Sequence, residues 1–240
     1  MVVDFDAASL EQLEALLLGD DAALRADAAT ALGDRLRTLE LAELPLSIRE
    51  LLAALLDDQT PMVRFEAAMT LAEANDKRAT SLLLSAAATR RFRLDAVRAL
   101  GTMGDKRAVP ALRAMISRFL MPWADKMQAA AALCALGDTQ GAEYLVEKLT
   151  SRRDAERASA VHFIGESRHP EARRLLEPMV DDAKHPMRDV AARALGFLGD
   201  PASAPVLKAA RIDADEALRC DIDQALARLT AAIARDERNL

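Results

Sequence analysis

One unit of sequence recurs along the whole chain, and a chain built that way can only bury its apolar faces by stacking copies of the unit side by side. The clearest copy is HPMRDVAARALGFLGD, residues 185–200. The basic residue that opens each alanine-rich helix recurs as Arg25, Arg64, Arg93, Lys126, Arg157, Arg188 and Arg219, at intervals of 39, 29, 33, 31, 31 and 31 residues. Seven positions after each anchor stands Leu or Ile: Leu32, Leu71, Leu100, Leu133, Ile164, Leu195 and Leu226. The next position is always small: Gly33, Ala72, Gly101, Cys134, Gly165, Gly196 and Ala227. The period, near 31, has room for two short helices and their turns.

Hydrophobic residues make up 51 % of the sequence but aromatic residues only 3 %. A core of Ala, Leu, Val and Met suits closely packed helices, whereas strands favour β-branched and aromatic residues. The repeat runs without a break in composition, which predicts one all-α domain over 1–240, an α-solenoid of about seven helical hairpins. The repeat boundaries fall near 9–38, 46–76, 77–105, 106–138, 139–168, 169–200 and 201–235.

In order, Leu10, Leu13, Leu16 and Leu17 form an apolar stripe with Ser9 placed as an N-cap, so a first helix is predicted over 9–18. The first interval is about eight residues longer than the period. The surplus, around 37–44, ends at Pro45, which should stop any helix that reaches it. Helices are predicted near 47–56 and 62–74, and the five-residue DDQTP between them leaves room only for an antiparallel hairpin. Later repeats open on an Asp followed within four residues by Ala, as at Asp76, Asp105, Asp138 and Asp200.

With 32 Lys plus Arg against 38 Asp plus Glu, the net charge of −6 argues against broad binding to a phosphate backbone, so nucleic acid is not the expected partner. No apolar run approaches the roughly 18 to 20 residues of a membrane span. The start carries acids where a secretory signal carries basic residues, which points to the cytoplasm. Cys134 and Cys220 fit no metal or redox spacing, and Cys134 fills a small-residue slot, so it is expected to serve packing. No phosphate loop, nucleophile elbow or zinc spacing occurs, so no catalytic residue, metal or cofactor is expected.

The segments MGDKRAVPALRAM (103–115) and VAARALGFLGD (190–200) resemble the short HEAT-like repeat first associated with phycobilin lyases. The resemblance covers nearly the whole chain and implies a right-handed superhelix. It says little about activity, because such repeats occur in lyases, adaptors, chaperones and scaffolds. It also implies an Asp to Arg ladder between neighbouring repeats. Asp58 and Arg64, Asp182 and Arg188, and Asp213 and Arg219 fit that ladder, whereas Arg93, Lys126 and Arg157 lack an acid at the same six-residue offset.

Positions three, four and seven after each anchor should form the packed stripe, with the last repeat departing from it at Ile222 and Asp223. In the HEAT family, positions two, five and nine line the concave side. By that resemblance the concave row holds Asp27, Glu66 and Asp95, then Met69, Arg98, His162, Glu166, Arg193 and Phe197. His162 and Glu166 share a helix face at a spacing that could serve a metal or acid-base pair, although a solvated or packed pair is the plainer reading. HEAT-like metal hydroxylases use several His-Glu dipeptides, and this chain has none. HEAT-like DNA glycosylases pair a basic concave surface with aromatic residues, whereas this row starts acidic.

The turn in SRFLMPWADK, 117–126, is expected to be lengthened, and it carries Phe119, Met121 and the single Trp123 where other turns are polar. Such a cluster either anchors a partner or folds back on the adjacent repeat. Near the same edge stand Arg90, Arg91, Arg93, Arg118, Arg152, Arg153 and Lys184, either solvated or a ridge for an acidic partner, a phosphate-bearing ligand or nucleic acid. The chain therefore reads as a non-catalytic scaffold that binds another protein through the concave row or the fourth turn. A lyase-like or maturation subunit handling a bilin or a client enzyme is the alternative, and the oligomeric state is left open.

Overall fold

The structure, a computed structural model, describes residues 4–167 and 171–236, with side chains described to residue 232. The expected boundary between the fifth and sixth repeats, at 168/169, lies outside the described residues. Every regular element among them is helical. The helices are α1 (Leu10–Leu17), α2 (Ala22–Arg37), α3 (Leu46–Ala54), α4 (Pro61–Glu73), α5 (Thr80–Ala88), α6 (Arg93–Thr102) and α7 (Val109–Ser117). There follow α8 (Trp123–Ala135), α9 (Thr139–Lys148), α10 (Asp154–Glu166), α11 (Ala172–Asp181), α12 (Arg188–Leu198), α13 (Ala204–Ala210) and α14 (Glu216–Asp236). The chain forms two compact units that divide between Leu112 and Arg113, within α7.

Local chemistry sets the helix ends. Ser9 and Gln12 form a reciprocal cap on α1: the Gln12 amide donates to Ser9 Oγ at 3.2 Å and the Ser9 amide to Gln12 Oε1 at 2.7 Å. The even-numbered helices α4, α6, α8 and α12 are followed by an Asn-Asp or Gly-Asp pair. Asn75, Gly104, Gly137 and Gly199 take left-handed backbone, with φ of 55°, 71°, 76° and 73°, which turns the chain out of the helix. The Asp that follows then caps the next helical turn: Asp76, Asp105, Asp138 and Asp200 each accept the amide two residues on, at 2.9 to 3.1 Å. The surplus in the first interval is a loop in which Leu39 also has positive φ. Pro45 does not stop a helix there, since α2 has already ended at Arg37; it precedes the first residue of α3.

The packed stripe lies where the spacing places it. Ala28, Ala29 and Leu32, and likewise Ala191, Ala192 and Leu195, are fully buried, and the corresponding residues of α4, α6, α8 and α10 are buried with them. In α14 Ile222 is buried, while Asp223 faces solvent and pairs with Arg211 at 2.6 Å. Small residues let successive helices approach. A Cβ on Gly165 would fall 2.5 Å from the Ala194 carbonyl oxygen, and one on Gly196 would fall 2.7 Å from Ala225 Cα.

The ladder takes a form that the six-residue offset does not give. Asp58 sends its carboxylate to Arg25 of the preceding repeat, at 2.9 Å, and Arg64 takes only the backbone carbonyls of Asp58 and Gln59. Arg188 likewise reaches Asp213 of the following repeat at 2.8 Å. The offset marks the turn that an arginine closes; the carboxylates of Asp58 and Asp213 at its start serve the neighbouring repeat, while that of Asp182 accepts the Lys184 amide of its own turn.

Candidate partner-binding faces

Each anchor arginine donates back across its own hairpin turn to the carbonyl end of the preceding helix. Arg25 bonds the Gly19 carbonyl at 2.8 Å, Arg93 that of Ala87 at 3.0 Å, Arg157 that of Ser151 at 2.7 Å, and Arg188 that of Val180 at 2.8 Å. These guanidiniums satisfy carbonyls left over at helix ends and fix the angle between paired helices. The second helices are thereby held in register, and positions two, five and nine of neighbouring helices come together.

In the first unit those positions enclose a pocket of about 170 Å³ on α2, α4 and α6. Met69 and Arg98 both line it, as do Glu66 and Asp95. Met69 is more buried than an open row would have it, at 9 % exposure, because it forms the floor together with Phe65. Phe65 in turn stacks on Phe92 with ring centroids 4.4 Å apart. Glu66 accepts the Thr30 hydroxyl at 3.1 Å. Burial raises its carboxyl above the ordinary glutamate range, with Asp95 and Asp27 adding to the effect and the Thr30 bond and the Arg37 charge opposing it. Glu73 lies 3.7 Å from Arg37 and 3.9 Å from Arg98.

The second unit holds a different row on α10, α12 and α14. His162 and Phe197 meet perpendicular at 5.4 Å between ring centroids, and the Arg228 guanidinium lies over the Phe197 ring, 4.1 Å from its centroid. Phe197 keeps 41 % of its surface exposed. Arg193 is fixed between Asp221 at 2.6 Å and Asp189 at 3.1 Å. Glu166 Oε1 stands 3.5 Å from His162 Nε2, and both side chains are open to solvent. Among the described residues no three His, Cys, Asp or Glu side chains gather as a metal site would require.

The fourth turn divides. Phe119 is 92 % exposed and Leu120 is 85 % exposed, whereas Trp123 packs against the core of the second unit and Met121 is half-buried. The turn is not lengthened. It spans 118–122, five residues, as do the turns at 149–153 and 211–215. Trp123 stands three residues before Lys126 and opens α8, just as Asp154 opens α10 three residues before Arg157. Nor are all the other turns polar, because Ile212 is 85 % exposed. Of the basic group, Arg93 is turned to turn carbonyls and Arg153 pairs with Glu156 at 2.9 Å, while Arg90, Arg91, Arg118, Arg152 and Lys184 are exposed.

The profile of HEAT repeats matches residues 48–133 and 142–227. The chain belongs to the HEAT-repeat family. Its fold is similar to that of the complex of CpcE and CpcF of phycocyanin lyase from Nostoc sp. PCC7120, at 20 % identity and a TM-score of 0.58, covering 100 % of each chain. Human deoxyhypusine hydroxylase in complex with glycerol matches at 20 % identity and a TM-score of 0.42, over 92 % of this chain and 84 % of that one. No curated protein matches the sequence. No helix among the described residues is long and apolar enough to cross a membrane.

As a HEAT array the chain brings Met69 together with Arg98, and His162 and Glu166 together with Arg193 and Phe197, on separate units. Thr30, Glu73, Asp221 and Arg228 also belong to these rows. The spacing that gave the others reaches them, since they stand five or nine residues after Arg25 and Arg64, and two or nine after Arg219. Arg37 does not follow from any such spacing.

Proposed function

We propose that this protein is a non-catalytic scaffold that binds another protein through the row of second-helix side chains or the fourth turn. The observation that carries this is the Phe119–Leu120 pair, two large apolar side chains left in water at 92 % and 85 % exposure. An exposed apolar pair beside a charged surface is what an interface core uses. Phe197, held between His162 and Arg228 yet still open, supports the same reading: a rigid aromatic face loses little entropy when a partner covers it. The similarity to the phycocyanin lyase complex, at 20 % identity, concerns the fold.

The test places a photo-crosslinking phenylalanine analogue at position 119 and maps the adducts by mass spectrometry. One partner that attaches at position 119, and whose native complex is weakened at least tenfold by Phe119→Ala with Leu120→Ala, supports the scaffold. Adducts scattered over many proteins, or a complex indifferent to the double substitution, would remove the turn from the site. A specific absorbance change on adding a bilin to the purified protein would favour the lyase-type alternative.

A further inference from the structure

We propose that the pocket on α2, α4 and α6 is a receptor for one basic side chain, an arginine or lysine projecting from the partner protein. This rests on the scaffold reading and specifies the chemistry that one unit recognises. At about 170 Å³ the pocket is below the few hundred cubic ångströms of a cofactor or drug-sized site and suits a single side chain. Its floor is apolar, with Met69 and Phe65 nearly buried, and so offers a surface for an aliphatic stem or a flat guanidinium.

Its walls are charged unevenly. Three carboxylates, on Glu66, Glu73 and Asp95, face two guanidiniums, on Arg37 and Arg98. Both guanidiniums lean towards Glu73, and Arg37 also pairs with Asp34. Glu66 and Asp95 are not among the carboxylates those guanidiniums pair with, although the Arg37 charge also acts on Glu66. Among the described residues Glu66 accepts only the Thr30 hydroxyl, and Asp95 makes no ion pair. A half-buried carboxylate with acidic neighbours is destabilised in its charged form, and a cation placed beside it relieves both the burial and the repulsion. An anion would meet the same two carboxylates and be repelled. Arg37 and Arg98 would oppose a cation, and their pairing with Asp34 and Glu73 offsets that repulsion.

The experiment uses the full chain labelled with carbon-13 in its methionine methyl groups and follows the Met69 resonance. The probes are blocked single residues: N-acetyl-arginine methylamide, the uncharged citrulline analogue, and N-acetyl-glutamate methylamide. The expected result is a saturable shift of Met69 with the arginine probe, at least tenfold weaker with citrulline and absent with glutamate. Glu66→Gln, in which the side-chain oxygen can keep the Thr30 bond, and Asp95→Asn, at an exposed position, should each weaken the arginine probe at least fivefold. The other methionine resonances report whether the variants stay folded. Equal binding of arginine and citrulline would make the pocket merely apolar and overturn the proposal. A stronger shift with glutamate, or no shift with any probe, would overturn it as well. Because the probes need no partner protein, such a failure leaves the scaffold reading standing, and a failed crosslink at position 119 leaves this result untouched.

Discussion

Gly165 and Gly196 occupy positions where one added carbon would land within 2.7 Å of a neighbouring helix, so in those two repeats glycine in the small slot eight residues after the anchor is a steric requirement. Cys134 fills that slot in the fourth repeat, and its partner atoms explain its chemistry. Burial pushes its thiol up to about 11, with Asp138 adding to the effect. A raised acid stays protonated until the pH approaches its own pKa, so at pH 8 about one Cys134 in a thousand is thiolate. Cys220 is exposed on α14. The expected outcome with a disulfide thiol reagent at pH 8 is one fast equivalent from the native protein, lost in Cys220→Ser, and two equivalents after unfolding. Equal rates for both thiols in the native state would contradict the packing assigned to Cys134.

At the scale of the helix and its turn, the anchor arginine of a second helix acts as a staple, and its energetic weight follows from how many acceptors it serves. Arg188 is 8 % exposed and donates to Val180 and Ala210 carbonyls and to Asp213, joining the ends of α11 and α13. Removing it strands those acceptors, so Arg188→Ala should cost about 2–4 kcal/mol. Arg219 is exposed and donates to the Ala214 carbonyl, so Arg219→Ala should cost about 0.5–1.5 kcal/mol. Urea unfolding of the two variants checks the order, and equal losses would mean that acceptor count does not set the staple's strength. The same contrast explains what was legible in the sequence. Helices, caps and the buried stripe follow from residues within one turn of each other, and Ala28, Ala192 and Leu195 could be placed from spacing alone. The carboxylate that Arg25 uses is 33 residues away, and the burial of Met69 depends on Phe65 and on α6, so neither follows from a local pattern.

For the molecule as a body that meets a partner, the decisive division falls inside one ten-residue segment. Sequence composition gathers Phe119, Met121 and Trp123 into a single apolar cluster, but helix α8 begins at Trp123 and so turns that ring onto the second unit's core, while the turn leaves Phe119 in water. One part of the segment holds the fold and the other is available for binding. Trp123→Ala removes a large partly buried ring and should lower stability by about 1–3 kcal/mol. Phe119→Ala should change stability by less than about 0.5 kcal/mol, since an exposed side chain loses no packing. Thermal melts of the two single variants give the first comparison, and the affinity of each for the partner crosslinked at position 119 gives the second. A Phe119→Ala protein that melts like the wild type yet binds at least tenfold more weakly is the outcome that a surface anchor requires. If Phe119→Ala instead destabilises as much as Trp123→Ala, the pair packs as one cluster and the fourth turn is part of the core.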